Sequence, residues 1–218
     1  MFVGHFAAGI AGKIACPRLP LWPLIGASQL LDLGWATLVM AGVEKLRIVP
    51  GLPGSPLDLY YMPWTHSLPA ALLWSAAAGL VAARWWQGVP RAGIVVALVV
   101  FSHWLLDLVV HRPDLGLWFD SLKVGFGLWN LPQPEMALEM GMVALAGGGW
   151  IALRKDAGLS AGPAPGFIAL LTVLQMVSLV SGATENGVQM GLLALFGYGV
   201  TMVGAWWAER RDSVASRR

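Results

Sequence analysis

The chain has 218 residues, 57% of them hydrophobic and only 12% charged, with mean hydropathy +0.66 and a formal net charge of +2. A water-soluble domain carries about 25% charged residues, so this composition lies well outside the soluble globular norm. Continuous apolar runs, long enough for a hydrocarbon core about 30 Å thick, predict membrane helices, and their lack of alternation excludes a barrel.

Seven apolar segments follow one another, at roughly 2–16, 21–43, 67–86, 92–110, 134–153, 166–183 and 188–208. They predict an all-α, polytopic membrane helical bundle of about six to seven membrane-inserted helices, forming one integral membrane domain over residues 1–218. The first segment is short for a full span and is expected to enter only part of the bilayer. It lacks a basic n-region and carries His5 among apolar residues, so it does not read as a cleavable signal. Its small residues, Gly4, Ala7, Ala8, Gly9, Ala11 and Gly12, let another helix come close. Pro17, Pro20 and Pro23 then break the chain before the second segment. That segment holds Asp32 about midway, in "LLDLGW", with no basic residue nearby in sequence. A buried carboxylate there needs a proton or a cation.

The connection 44–66, rich in Pro, Gly, Trp and Tyr, reads as an interfacial loop, as does 111–133. "YMPWTHSLPA" sets His66 at a helix entrance, with Thr65 or Ser67 as the cap. In "FSHWLLDLVVHRPDL" the four-residue spacing of His103, Asp107 and His111 stacks them on one helical stripe, with His111 near or past the helix end. "LPQPEMALEMGM" begins the fifth segment with Glu135 and Glu139; the helix dipole accounts for Glu135, leaving Glu139 as the better ligand candidate. Asp58, Asp114, Asp120 and Glu185 fall in loops and read as solvated, and Trp64, Trp104, Trp118 and Trp129 read as an interfacial belt. Segments six and seven add no motif.

Placing the first segment's start outside puts Lys13, Arg18, Arg84, Arg91, Arg154, Lys155, Arg210, Arg211, Arg217 and Arg218 in the cytoplasm. Only Lys45, Arg47, Arg112 and Lys123 then face out, and the C-terminus is cytoplasmic. All four histidines fall toward the outer face, where Asp107, Glu135 and Glu139 join them. Imidazoles and carboxylates in a membrane are costly and mark function by default. Read singly, each has a bland alternative: an interhelical hydrogen bond, a protonated acid or an interfacial histidine. Read together, they are the donor set that zinc and similar divalent ions take.

"GHFAAG", "LLDLGW", "THSLPAALLW", "SHWLLDLVVHRPDL" and "KVGFGLWN…MALE", all within residues 1–150, resemble a family of bacterial inner-membrane proteins described as metal-dependent hydrolases. These are membrane relatives of a LexA-binding inner-membrane protein, distantly similar to the all-α zinc phospholipase C and P1 nuclease fold. The resemblance implies metal ligation by His5, Asp32, His66, His103, Asp107, His111 and Glu139. The chain departs from the soluble zinc enzymes in having only four histidines and in starting a segment at Met1, where those enzymes ligate through a free N-terminal residue. One or two ions, zinc by donor chemistry, are therefore expected rather than three.

The expected function is hydrolysis of an ester or phosphoester, with a lipid or lipid-linked substrate suggested by the site's depth. Asp107 or Glu139 is the candidate general base, and Arg112 or Lys123 the candidate phosphate holder. Membrane lipids are the expected partners and nucleic acid is not. A transporter carrying protons or metal ions, or a non-catalytic membrane scaffold, are the alternatives.

Overall fold

The computed structural model describes residues 2–181 and 184–215, with the backbone alone for 210–215. It is an all-α bundle carrying two small hairpins. The chain runs α1 (Gly4–Ala15), α2 (Leu21–Ser28), α3 (Leu30–Met40), β1 (Lys45–Ile48), β2 (Leu57–Tyr61), α4 (Leu68–Trp85) and α5 (Ala92–Val110). It continues through β3 (Leu115–Trp118), β4 (Ser121–Val124), a single 3-10 turn at Leu128–Asn130, α6 (Pro132–Asp156), α7 (Pro163–Val180) and α8 (Gly187–Ala215).

Among the described residues five helices, α4 to α8, are long and apolar enough to cross a membrane, fewer than the six or seven expected. The reason lies in the first two segments. The 12 residues of α1 rise only about 18 Å, short of a bilayer core. The run expected at 21–43 is not one helix but two, interrupted at Gln29 (φ −112°, ψ 9°). Nothing local to Gln29 announces the break, since neither proline nor glycine occupies the position. Pro17 and Pro20 do what proline must, ending α1 and leading into α2. Lys13 closes that corner, donating to the carbonyls of Pro17 and Leu19 and pairing with Glu209 of α8 at 2.7 Å.

The two connections read as interfacial loops contain antiparallel hairpins, β1 with β2 and β3 with β4. Lys45 faces Tyr61, Arg47 faces Asp58, and a bulge lies between them. In the second hairpin Leu115 faces Val124 and Trp118 faces Ser121. Two-stranded ribbons have little stability alone, and both here rest against the bundle. Arg112 supplies one fastening: its guanidinium donates to Asn130 Oδ1 at 3.1 Å and to the carbonyls of Pro53, Ser55 and Leu57 at 2.6–3.4 Å.

Helix packing uses the small residues seen in sequence. A Cβ on Gly9 would fall 2.9 Å from the Leu24 carbonyl oxygen, so α1 lies close on α2. Gly79 and Gly93 do the same for α4 and α5, each meeting the other's carbonyl oxygen at 2.9 and 2.7 Å. Inside, Phe6, Ile10, Leu24, Leu31 and Val100 are fully buried. Outside, Leu73, Leu80, Trp85, Leu145 and Val180 are exposed, an apolar exterior suited to lipid.

Direction along the chain fixes where polar groups gather. The starts of α1, α4 and α6 and the ends of α3 and α5 meet at one end of the bundle, together with both hairpins. At the other end stand Lys13, Arg84, Arg154 and Lys155, in the last turns of α1, α4 and α6.

Candidate metal centre

Four helical elements bring six side chains together. His5 comes from the first turn of α1, Asp32 from the first turn of α3, and His66 from just ahead of α4. His103 and Asp107 lie on α5, one turn apart, and His111 is its C-terminal cap residue. Ser67, not Thr65, caps α4, its Oγ accepting from Ala70 N at 3.3 Å. The four histidines and Asp107 are buried; Asp32 is largely so.

Asp107 is the hub. Its Oδ1 lies 3.0 Å from His5 Nε2 and 3.2 Å from His111 Nε2. Its Oδ2 lies 3.1 Å from His103 Nε2 and 3.5 Å from His66 Nε2. Asp32 Oδ1 faces the latter pair too, 3.3 Å from His66 Nε2 and 3.5 Å from His103 Nε2. Ligand atoms about 2.0–2.1 Å from a tetrahedral ion lie roughly 3.3 Å from one another. The four N···O spacings among His66, His103, Asp32 and Asp107, 3.1–3.5 Å, are close to that value. Within the described residues, His5, His103 and Asp107, and likewise Asp32, His66 and His103, each bring ligand atoms within 4.8 Å of one another.

The outer nitrogens of three imidazoles are held by partners that fix which atom faces inward. His103 Nδ1 lies 2.8 Å from the Ser28 carbonyl oxygen, to which it donates. His111 Nδ1 donates to Asp114 Oδ1 at 2.9 Å. Thr65 commits its hydroxyl proton to Glu44 Oε2 at 2.7 Å, so Thr65 Oγ accepts from His66 Nδ1, also at 2.7 Å. In each case Nε2 is left for the aspartates or an ion. Ring contacts hold the planes: His5 stacks on His103 with centroids 3.7 Å apart, and His111 on Trp129 at 4.1 Å.

Two of these histidines lie outside the spanning helices. Burial pushes His66 down, but its hydrogen bonds to Asp107 and Asp32 outweigh that and raise it from 6.5 to about 9. His111 is likewise raised, by Asp107 and Asp114 against burial.

The remaining sequence candidates have other partners. Glu139 accepts from Phe2 N and Gly4 N, both at 2.9 Å, so its carboxylate caps the start of α1 and is not among the clustered ligand atoms. Arg112, the expected phosphate holder, donates to the loop carbonyls and Asn130. Lys123 donates to the Tyr60 carbonyl and pairs with Asp120. Asp114 is not a solvated loop acid but the partner of His111. Trp104 and Trp129 leave the expected aromatic belt: Trp104 is buried with its indole N–H on the His66 carbonyl, and Trp129 stacks on His111.

Sequence reading missed Glu44, Tyr198 and the Ser28 carbonyl as the partner of His103. The Tyr198 hydroxyl donates to Asp32 Oδ2 at 2.6 Å from a segment that carries no motif. Glu44 is buried directly before β1, in a connection that the sequence presents as an interfacial loop.

A cavity of about 520 Å³ adjoins the cluster, with Asp32, His66, Asp107 and His111 in its wall. Compared with known protein families, curated proteins and solved structures, the chain finds no match.

Proposed function

We propose that the chain is a membrane-embedded, metal-dependent hydrolase of an ester or phosphoester, holding two divalent ions of the zinc type. One observation carries the reading: the two oxygens of Asp107 face separate pairs of histidines, His5 with His111 and His66 with His103. Asp107 with His5 and His111, and with His66, His103 and Asp32, would hold such ions. When bound, such ions supply Lewis acidity toward a carbonyl or phosphoryl oxygen and lower the pKa of water toward about 7.

The chain's own residues do the rest. Glu44, through Thr65, together with Ser28 and Asp114, sets which imidazole nitrogen points inward, and Tyr198 holds Asp32. The cavity beside the cluster gives a substrate room with its reacting bond close to the aspartates. The crowding of basic residues at the opposite end favours a bacterial inner membrane orientation with the cluster toward the outer face and the C-terminus in the cytoplasm.

The test is metal analysis with turnover. Protein purified in detergent is expected to hold two ions per chain, with His5→Ala retaining one and Asp107→Ala neither. It is also expected to cleave members of a phospholipid and phosphodiester panel only when metal-loaded. Protein without stoichiometric metal, or with equal turnover after chelation, would overturn the reading.

A further inference from the structure

The cavity beside the cluster is not a simple water-facing cleft. Its wall includes Val177 and Leu179 of α7 and Leu193 and Phe196 of α8. Those side chains are 51%, 57%, 52% and 69% exposed. Residues that both line the cavity and show on the apolar exterior mark an opening through the side of the bundle, between two helices of membrane-spanning length. Toward the hairpin end the same cavity is lined by Gly54, Pro56 and Leu57, in the segment that Arg112 ties down.

Its interior is mostly apolar, with a few polar atoms awaiting partners. The Trp35 indole N–H and the Gln175 Oε1 have no hydrogen-bond partner among the described residues. Both residues are 4% exposed and both line the cavity. Buried donors and acceptors are costly when unmet, and these two belong to residues of the cavity wall. The volume lies within the roughly 300–1,000 Å³ of ordinary small-molecule pockets. Apolar residues exposed on the exterior and the aspartates and histidines of the cluster thus line one cavity.

We propose that this cavity receives an acyl chain of a membrane lipid, entering sideways between α7 and α8, and sets the lipid's ester or phosphoester linkage against the cluster. The cleavage rests on the hydrolase reading above; the binding of the chain does not. Hydrolysis would add water across one bond, giving a fatty acid and an alcohol from a carboxylic ester, or a phosphate monoester and an alcohol from a phosphodiester. The acyl chain is the shared chemistry, and the products separate the two linkages.

Full-length protein in nanodiscs is supplied with a phospholipid bearing a photoreactive group within its acyl chain, and labelled peptides are mapped. Labelling is expected to concentrate on the cavity-facing residues between Leu174 and Tyr198. Gly197 lines the cavity, and a Cβ there meets nothing closer than Phe2 at 3.9 Å, so Gly197→Leu would fill the space while improving helix propensity. That variant, and independently Ala194→Trp, should keep wild-type metal content and lose most of the cavity labelling. The ratio of long-chain to short-chain turnover should fall roughly tenfold or more. Labelling spread evenly over all lipid-facing helices, unchanged in both variants, would overturn the proposal even if metal-dependent turnover persisted. Variant-sensitive labelling without turnover would uphold the acyl site and remove the hydrolase reading instead.

Discussion

Thr65 stands between Glu44 and its own neighbour His66: its hydroxyl donates to Glu44 Oε2 at 2.7 Å while its oxygen accepts from His66 Nδ1. Glu44 is itself fixed by the backbone N–H groups of Trp64 and Thr65, at 2.8 and 3.0 Å. Partners of this kind orient a ligand and raise its basicity without touching the ion. Thr65→Val keeps the shape and deletes the hydroxyl, so metal affinity should fall by roughly 10–100-fold, with Thr65→Ser restoring it. Competition against a chelator of known strength measures both. Unaltered affinity in Thr65→Val would reduce the relay to packing.

The raised His66 gives the metal-free protein a pH dependence of definite sign. A histidine held at about 9, above its ordinary 6.5, contributes stability that is fully present below 6.5 and is lost as pH rises through about 9. Chelated protein in detergent should therefore melt at progressively lower temperature across that interval, with His111 adding in the same direction. Metal affinity should rise over the same interval, because an ion must displace the proton on Nε2. A melting temperature that is flat between these values would mean that the two aspartates do not hold His66 protonated.

Arg112 is expected to matter for architecture. It is the common donor to Pro53, Ser55, Leu57 and Asn130, and its guanidinium lies 5.7 Å from the Trp129 ring centre. Arg112→Ala should cost about 1–3 kcal/mol of stability by leaving carbonyls unmet under the hairpin. Bound metal should stay near the wild-type amount, since no ligand is altered. Thermal unfolding alongside metal quantification checks this, and loss of metal at unchanged stability would return Arg112 to the site itself.

How much of this was legible beforehand follows from the range of each interaction. The stripe of His103 and Asp107 was legible because four-residue spacing on a helix is a local fact. Segments 67–86 and 92–110 were legible for the same reason, and they match α4 and α5. That Asp32 and His66 join the stripe was suggested by topology, which brings ends together without giving distances. Glu139 was a ligand candidate by residue type, and the same chemistry serves a helix start, where it accepts from Phe2 and Gly4. Arg112 is similar: a guanidinium suited to phosphate is also suited to loop carbonyls. The hairpins were hidden because bulky apolar and aromatic residues in a loop read alike whether they pair or sit at an interface. Backbone partners leave no trace at all, since any residue at position 28 presents the same carbonyl.

The interruption at Gln29 therefore has a reach beyond its own two helices. Ser28 ends α2, and the last carbonyls of a helix are short of partners within it; His103 draws on that vacancy. Straightening residues 21–40 into one uninterrupted rod would reclaim the carbonyl for the rod's own ladder. The imidazole on α5 would then be free to flip, and the centre would lose its grip through a change in which no ligand had been touched.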